Sequence, residues 1–199
     1  MSDALTEAFF DRHPAEVARD LIGIRLDAGE VAGIIVETEA FAPDDPASHS
    51  FGGPKQRNAA MFGDPGTAYV YRSYGLHWCL NLVCMPGSAV LLRALEPVGG
   101  LDLMRARRGL DTARLLCAGP GRLAQALGVD AGWNGVAMHA HMRRYTQPEI
   151  VVGVRIGISK AIDIEWRFGE AGSAYLSRPF RAVQPQAKEA RLRPANSTR

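Results

Sequence analysis

Two glutamates, Glu37 and Glu39, follow the apolar, β-branched run Ile34-Ile35-Val36 and stand two residues apart. Such a run reads as a buried strand. Side chains two apart on a strand share a face, so Glu37 and Glu39 lie together with Phe41 next along. A carboxylate is costly to bury without a partner. Either the strand leaves the core here and both acids are solvated, or they are kept for chemistry. Glu39, beside aromatics, has the makings of a general base whose proton affinity is raised by desolvation or by Glu37. Paired carboxylates also point to glycoside hydrolysis, but neighbours on one strand face would not flank a scissile bond.

Further along, His49 sits in a Pro- and Gly-rich loop, as a histidine fixed by a local backbone contact or as part of a site. Pairing it with Glu39 as metal ligands finds no second His or Cys at ligand spacing, and His139 and His141 lie far along the chain. No metal is therefore expected. Tyr69 and Tyr71 alternate along a strand and read as one cross-strand face packing a core. Their nearness to Arg72 and to Tyr74 also fits base stacking. Asn81 interrupts Leu80-Asn81-Leu82-Val83, where a buried amide must tie a bulge or line a pocket. Arg93, inside Leu91-Leu92-Arg93-Ala94-Leu95, needs a carboxylate or a phosphate.

The elements that must position these residues follow from pattern. Residues 3–22 read as helical, with Pro14 in a first turn and Gly23 as the stop. Residues 24–26 and 31–40 pair as antiparallel strands across a turn. Residues 42–54 are an irregular loop of the kind that carries function, and 56–62 make one or two helical turns. Residues 67–72 and 76–84 form a hairpin with Tyr74 near its tip, where no core exists to receive an aromatic. A core strand covers 89–95. Gly99-Gly100 opens a basic helical region, and Gly119-Pro120-Gly121 starts a further helix whose amides could hold phosphate, though a lone Gly-Pro-Gly is weak evidence. Residues 149–158 are strand-like, and short strands fit 166–168 and 174–176. Residues 184–199 are polar and basic with no apolar periodicity, a mobile tail after one domain of residues 1–183.

A chain of 199 residues, 47% hydrophobic and 22% charged, is an ordinary single globular domain. No apolar run reaches membrane-helix length. Met1 to Phe10 lacks a secretory pattern, so a cytoplasmic protein is expected. Cys79, Cys84 and Cys117 are odd in number and sit without zinc spacing, as buried reduced thiols would. Net charge is only +2, yet residues 1–50 carry 3 basic and 11 acidic side chains, net −8, against 20 and 10, net +10, in the rest. All but Lys55, Lys160 and Lys188 of the basic residues are arginine, whose fork suits phosphate oxygens. A polyanion-binding face fits this asymmetry, as does a GC-rich genome.

Several of these segments, in the same order, resemble the alkyladenine (3-methyladenine) DNA glycosylase family. They are Val36-Glu37-Thr38-Glu39-Ala40-Phe41, Ala47-Ser48-His49-Ser50, Arg57-Asn58 with Met61-Phe62, Pro65-Gly66-Thr67-Ala68-Tyr69-Val70-Tyr71, Tyr74-Gly75, Asn81 and Leu91-Leu92-Arg93-Ala94-Leu95-Glu96-Pro97. Cys117-Ala118-Gly119-Pro120, Arg155-Ile156-Gly157-Ile158 and Trp166-Arg167-Phe168 extend the likeness to about residue 180. The resemblance implies a mixed α/β (α+β) domain with a curved antiparallel sheet, flanking helices and a protruding hairpin. It implies a monofunctional enzyme, without cofactor, that acts as a monomer on double-stranded DNA containing damaged purines and starts base excision repair. Glu39 would activate the attacking water. Phe41, His49 and Tyr71 would enclose the flipped base, with His49 also hydrogen-bonding it. Tyr74 would intercalate into the duplex, Asn81 would crowd out the 2-amino group of guanine, and Arg93 would position the nucleotide. Phe41 stands where many relatives have tyrosine, and the loop to His49 is one residue shorter than in some. Both bear on the range of lesions rather than on the reaction class.

Overall fold

In a computed structural model, which describes residues 4–180, the chain is built on a mixed sheet-and-helix plan. The tail expected over 184–199 lies outside the described residues. Strands β1 (Ile24–Ala28), β2 (Val31–Phe41), β3 (Ala68–Ser73), β4 (His77–Val83), β5 (Ala89–Gly99), β6 (Met142–Arg144), β7 (Ile150–Gly153) and β8 (Arg167–Glu170) belong to one antiparallel sheet. Its order is β3-β4-β5-β2-β1-β6, and β8, carrying β7, joins beside the second half of β2. Helices α1 (Glu7–Phe10), α2 (Pro14–Asp20), α3 (Leu101–Arg108), α4 (Ala113–Leu116) and α5 (Pro120–Leu127) accompany it. Phe10, Val17, Leu92, Met104 and Leu123 are among the fully buried side chains of the main core. No helix of the described residues is long and apolar enough to cross a membrane.

β2 decides where the glutamates point. Its partner β5 is out of step three times, once between Ala32 and Gly33 and twice beside the glutamates, where Ile35 faces Leu95, Glu37 faces Ala94, and Thr38 faces Leu92. Val36 is thus an extra residue on β2, and Arg93 an extra residue on β5. Each bulge reverses which face the following side chains take, since strand side chains alternate strictly. Val31 and Ile35 belong to the main core before the bulge, whereas after it Ala40 does, and Thr38 donates its hydroxyl to Ala18 O of α2 at 2.8 Å. Glu37 and Glu39 are turned to the other side. On β5 the same reversal runs from Val90 and Leu92 to Leu95.

Five expectations change. The helix expected over 3–22 is broken into α1 and α2, because Pro14 forces His13 out of helical backbone (φ −56°, ψ 132°). The first strand runs on to Ala28, leaving a tighter turn at Gly29-Glu30. The strand expected over 149–158 ends at Gly153, and the chain then bends irregularly through Gly157 (φ 78°) and Ala161 (φ 49°). Residues 174–176 form no strand, and the strand expected at 166–168 runs from Arg167 to Glu170. The hairpin and the loop over 42–54 lie where pattern placed them, and the strand that carries Arg93 begins where expected but runs past Leu95 to Gly99.

Between β5 and α3 the chain reverses through Gly100, at φ 64°, where an added Cβ would sit 2.2 Å from Glu30 O. Gly109 ends α3 with nearly the same backbone (φ 61°) and nothing within 4 Å of that position. Gly109→Ala should therefore cost about 1 kcal/mol from left-handed backbone alone. Gly100→Ala should cost at least about 2 kcal/mol more through steric overlap, measured by urea unfolding.

Candidate active site

The seven residues singled out by sequence line one cavity of about 930 Å³, open on one side. β2 supplies Glu39 and Phe41, the following loop His49, the hairpin Tyr71, Tyr74 and Asn81, and β5 Arg93. The cavity lies on the sheet face to which the two bulges turn Glu39 and Arg93.

At its floor is an ionic cluster. Arg93 donates from Nε to Glu37 Oε1 (3.0 Å) and from Nη1 to Glu39 Oε2 (3.2 Å). The choice posed by its sequence, carboxylate or phosphate, is met by two carboxylates. Glu37 is fully buried and also accepts from Arg167 Nε (2.8 Å), Ser177 N (2.6 Å) and Ser177 Oγ (2.8 Å). Glu39, 1% exposed, accepts on Oε1 from the Ile156 backbone N–H at 2.7 Å. Neither glutamate is solvated, so the bland reading of a strand leaving the core does not apply. Desolvation pushes the Glu39 pKa above the ordinary glutamate value, with Glu37 adding to the rise, while Arg93, the Ile156 N–H and Arg167 oppose it.

The walls are aromatic. The His49 ring stands edge-on to Tyr71, with centroids 4.5 Å apart, and its Nδ1 is 2.9 Å from the Tyr69 hydroxyl. Burial pushes the Tyr69 pKa up to about 12 and that of Tyr71 further still, so both phenols keep their protons. His49 is exposed at the rim, yet the protein packed around it and the nearby Arg57 lower its pKa, favouring the neutral ring. With Nδ1 engaged by Tyr69, Nε2 is the ring nitrogen left without a hydrogen-bond partner among the described residues. The loop is held by Asn58, fully buried, whose Nδ2 donates to His49 O (2.8 Å) and Gly53 O (3.2 Å). Asn81 is 4% exposed and donates to Tyr69 O at 3.0 Å, so it both ties the hairpin and lines the cavity.

Tyr74 is 90% exposed at the hairpin tip. Leu76 N–H donates to Ser73 O (2.9 Å) across a reversal in which Tyr74 (φ 50°) and Gly75 (φ 70°) both have positive φ, as in a type I′ turn. A tyrosine in this conformation is strained. The turn thus holds a large ring in solvent at a backbone position better suited to asparagine or glycine. Arg57, Arg72 and Lys160 also line the cavity.

The chain is similar to known proteins over most of its length. The model of the methylpurine-DNA glycosylase (MPG) family matches residues 8–174. A protein of Rhodopseudomonas palustris is 58% identical over 183 residues, covering 88% of this chain and 89% of its own. One from Nitrosospira multiformis is 56% identical over 179 residues, 86% of this chain and 93% of its own. One from Agrobacterium fabrum is 52% identical over 187 residues, 92% and 97%. All three carry the name "Putative 3-methyladenine DNA glycosylase". The chain belongs to the methylpurine-DNA glycosylase family, enzymes that remove alkylated bases from DNA.

Pattern reading missed the supports behind the lining. Tyr69 is the core residue it was read as, at 3% exposure, but it also orients His49. Arg167 and Ser177, which hold Glu37, come from segments with little pattern of their own. Arg155, in Val152-Gly153-Val154-Arg155-Ile156, carries the same signal as Arg93, a charge inside an apolar run, and could have been found by it. Removing one member of a buried ionic cluster leaves the others uncompensated, at about 3–5 kcal/mol. Glu37→Ala should therefore lower the unfolding free energy by that amount in urea titration, by stranding Arg93 and Arg167.

Proposed function

We propose that the protein is a monofunctional DNA N-glycosylase that flips alkylated purines, 3-methyladenine among them, out of duplex DNA and hydrolyses the N-glycosidic bond with a water activated by Glu39, starting base excision repair. The observation that carries this reading is the Glu39 carboxylate, nearly desolvated and fixed from both oxygens at the floor of an aromatic cavity.

A base inside a duplex is out of reach of such a floor, so it must leave the stack at a cost of a few kcal/mol. Tyr74, held out by the hairpin, supplies a ring to fill the gap, and stacking of this kind is worth about 1–3 kcal/mol per base. The extruded purine enters between His49, Tyr71 and Phe41. Alkylated purines such as 3-methyladenine carry positive charge on the ring system, and cations are drawn to aromatic faces. Asn81, tied to Tyr69 O, narrows the space against the 2-amino group of guanine. Arg93 supports the nucleotide from the floor while holding Glu39.

The chemistry balances simply. Glu39 takes a proton from water as the water oxygen bonds to C1′. The C1′–N bond breaks, and its electron pair leaves with the base. A cationic alkylated base departs neutral, so no acid is required, and no lysine nucleophile is needed. Monofunctional release of a free base is what separates this reading from a DNA-binding module built on the same hairpin and basic face.

Glu39→Gln should abolish release of 3-methyladenine from lesion-containing duplex while leaving binding within a few-fold of wild type. Unchanged release would remove Glu39 from its role. The reactive form is the carboxylate, so activity should fall as pH drops through a midpoint above the ordinary 4.5. Single-turnover rates across pH locate that midpoint. Tyr74→Ala should weaken capture of a lesion duplex by roughly 10- to 100-fold, the worth of one stacked ring, with a smaller loss on undamaged DNA. Equal losses would count against a wedge.

A further inference from the structure

One buried ion pair beside the site takes no part in the chemistry above. Arg155 and Asp45 have fully buried side chains. Their contact is bidentate: Arg155 Nη1 donates to Asp45 Oδ2, and Nη2 to Asp45 Oδ1 at 3.1 Å. Nη1 also donates to Ala40 O at 2.9 Å, the residue next to Glu39. The guanidinium lies over the Phe41 ring, 4.8 Å from its centroid, and over Trp166 at 5.5 Å. Among the described residues its Nε is buried without a hydrogen-bond partner.

Both ends of the pair lead directly into the site. Asp45 Oδ1 accepts from Ala47 N (3.0 Å) and Asp45 O from Ser48 N (2.9 Å), fixing the loop up to the residue before His49. On the other side, the residue after Arg155 is Ile156, whose N–H meets Glu39 Oε1. That amide belongs to no strand, because β7 ends at Gly153 and the chain from 154 to 166 is irregular. No sheet ladder therefore sets its direction.

We propose that Asp45 and Arg155 are positioning residues for the general base, an internal clamp that fixes the Ile156 N–H on Glu39 and the His49 loop in one operation. The proposal rests on the reading of Glu39 as the base. Stability alone is a poor explanation for the pair, because a buried ion pair is often replaceable by apolar residues at no loss. What an apolar contact cannot do is fix two irregular segments in register, which a planar fork on a carboxylate does. A small displacement of a catalytic group is enough to cost about 100-fold in rate. The groups facing Glu39 are Arg93, Glu37, Arg167, Tyr71 and the Ile156 N–H, and the last is the one directly joined in the chain to the clamp. Because that hydrogen bond favours the carboxylate, losing it raises the pH at which Glu39 takes up a proton.

The test uses the full chain as wild type, Arg155→Lys, Asp45→Asn and the apolar double replacement of Asp45→Leu with Arg155→Met. Single-turnover release of 3-methyladenine is followed across pH, affinity for a lesion duplex is titrated, and deuterium exchange of the Ile156 amide is measured. Both single variants should release base roughly 100-fold more slowly with lesion affinity within about tenfold. Their acidic limb should move to higher pH, and Ile156 should exchange faster. The double variant should recover melting temperature without recovering rate. An unmoved acidic limb, wild-type protection at Ile156, or rates that track the folded fraction would overturn the clamp. If wild type itself released no base, the functional reading would fail, while amide exchange at Ile156 would still decide whether the pair holds that segment.

Discussion

A single guanidinium between two carboxylates is the constraint on which the site is built. Glu37 and Glu39 would repel one another in a low-dielectric interior, and Arg93 reaches both. Charges taken from water cost several kcal/mol each, and mutual attraction repays that only when geometry and remaining hydrogen bonds are good. Here Arg167 and Ser177 complete Glu37, and a backbone amide completes Glu39. Glu37 is the anchored member, with four donors, and Glu39 the one with an open side toward the cavity. The division of labour comes from environment, since the two residues are chemically identical.

The sheet makes that contact possible by being irregular in two places at once. A regular β2 would send Glu37 and Glu39 to the face that carries Ile35 and the main core, away from Arg93. The extra residue at Val36 turns them away, and the extra residue at Arg93 brings the cation to meet them. Each bulge alone would put one partner on the wrong side. The same face then receives the aromatic hairpin, so charge at the floor and rings along the walls follow from one pair of local defects.

Much of this was legible from residues. The acids at the end of an apolar run, the polar residues inside two core strands and the aromatic at a hairpin tip each broke a local rule; Glu39, Asn81, Arg93 and Tyr74 line one cavity, and Glu37 is buried beneath it. The bulges were not legible, because Ile34-Ile35-Val36 is apolar whichever face each residue takes. The alternation argument therefore paired Glu37 with Glu39 correctly without showing which side they shared. The break before Pro14 was foreseeable from the proline itself, and the continuous helix expected there gave too much weight to the apolar stripe. Arg167, Ser177 and Asp45 act through contacts more than a hundred residues away in the chain, a distance at which periodicity carries no information.

Tyr74 is held in a backbone state that few tyrosines tolerate. Its conformational penalty is met when the chain folds, not when it meets a ligand. In the proposed reading the protein encounters sound base pairs far more often than damaged ones. A rigid probe then presses on each in the same way, with no loop to be ordered at every stop. Pairs that resist stay shut, weakened pairs give way, and the time spent per position along a genome is governed by the helix under inspection rather than by the inspector.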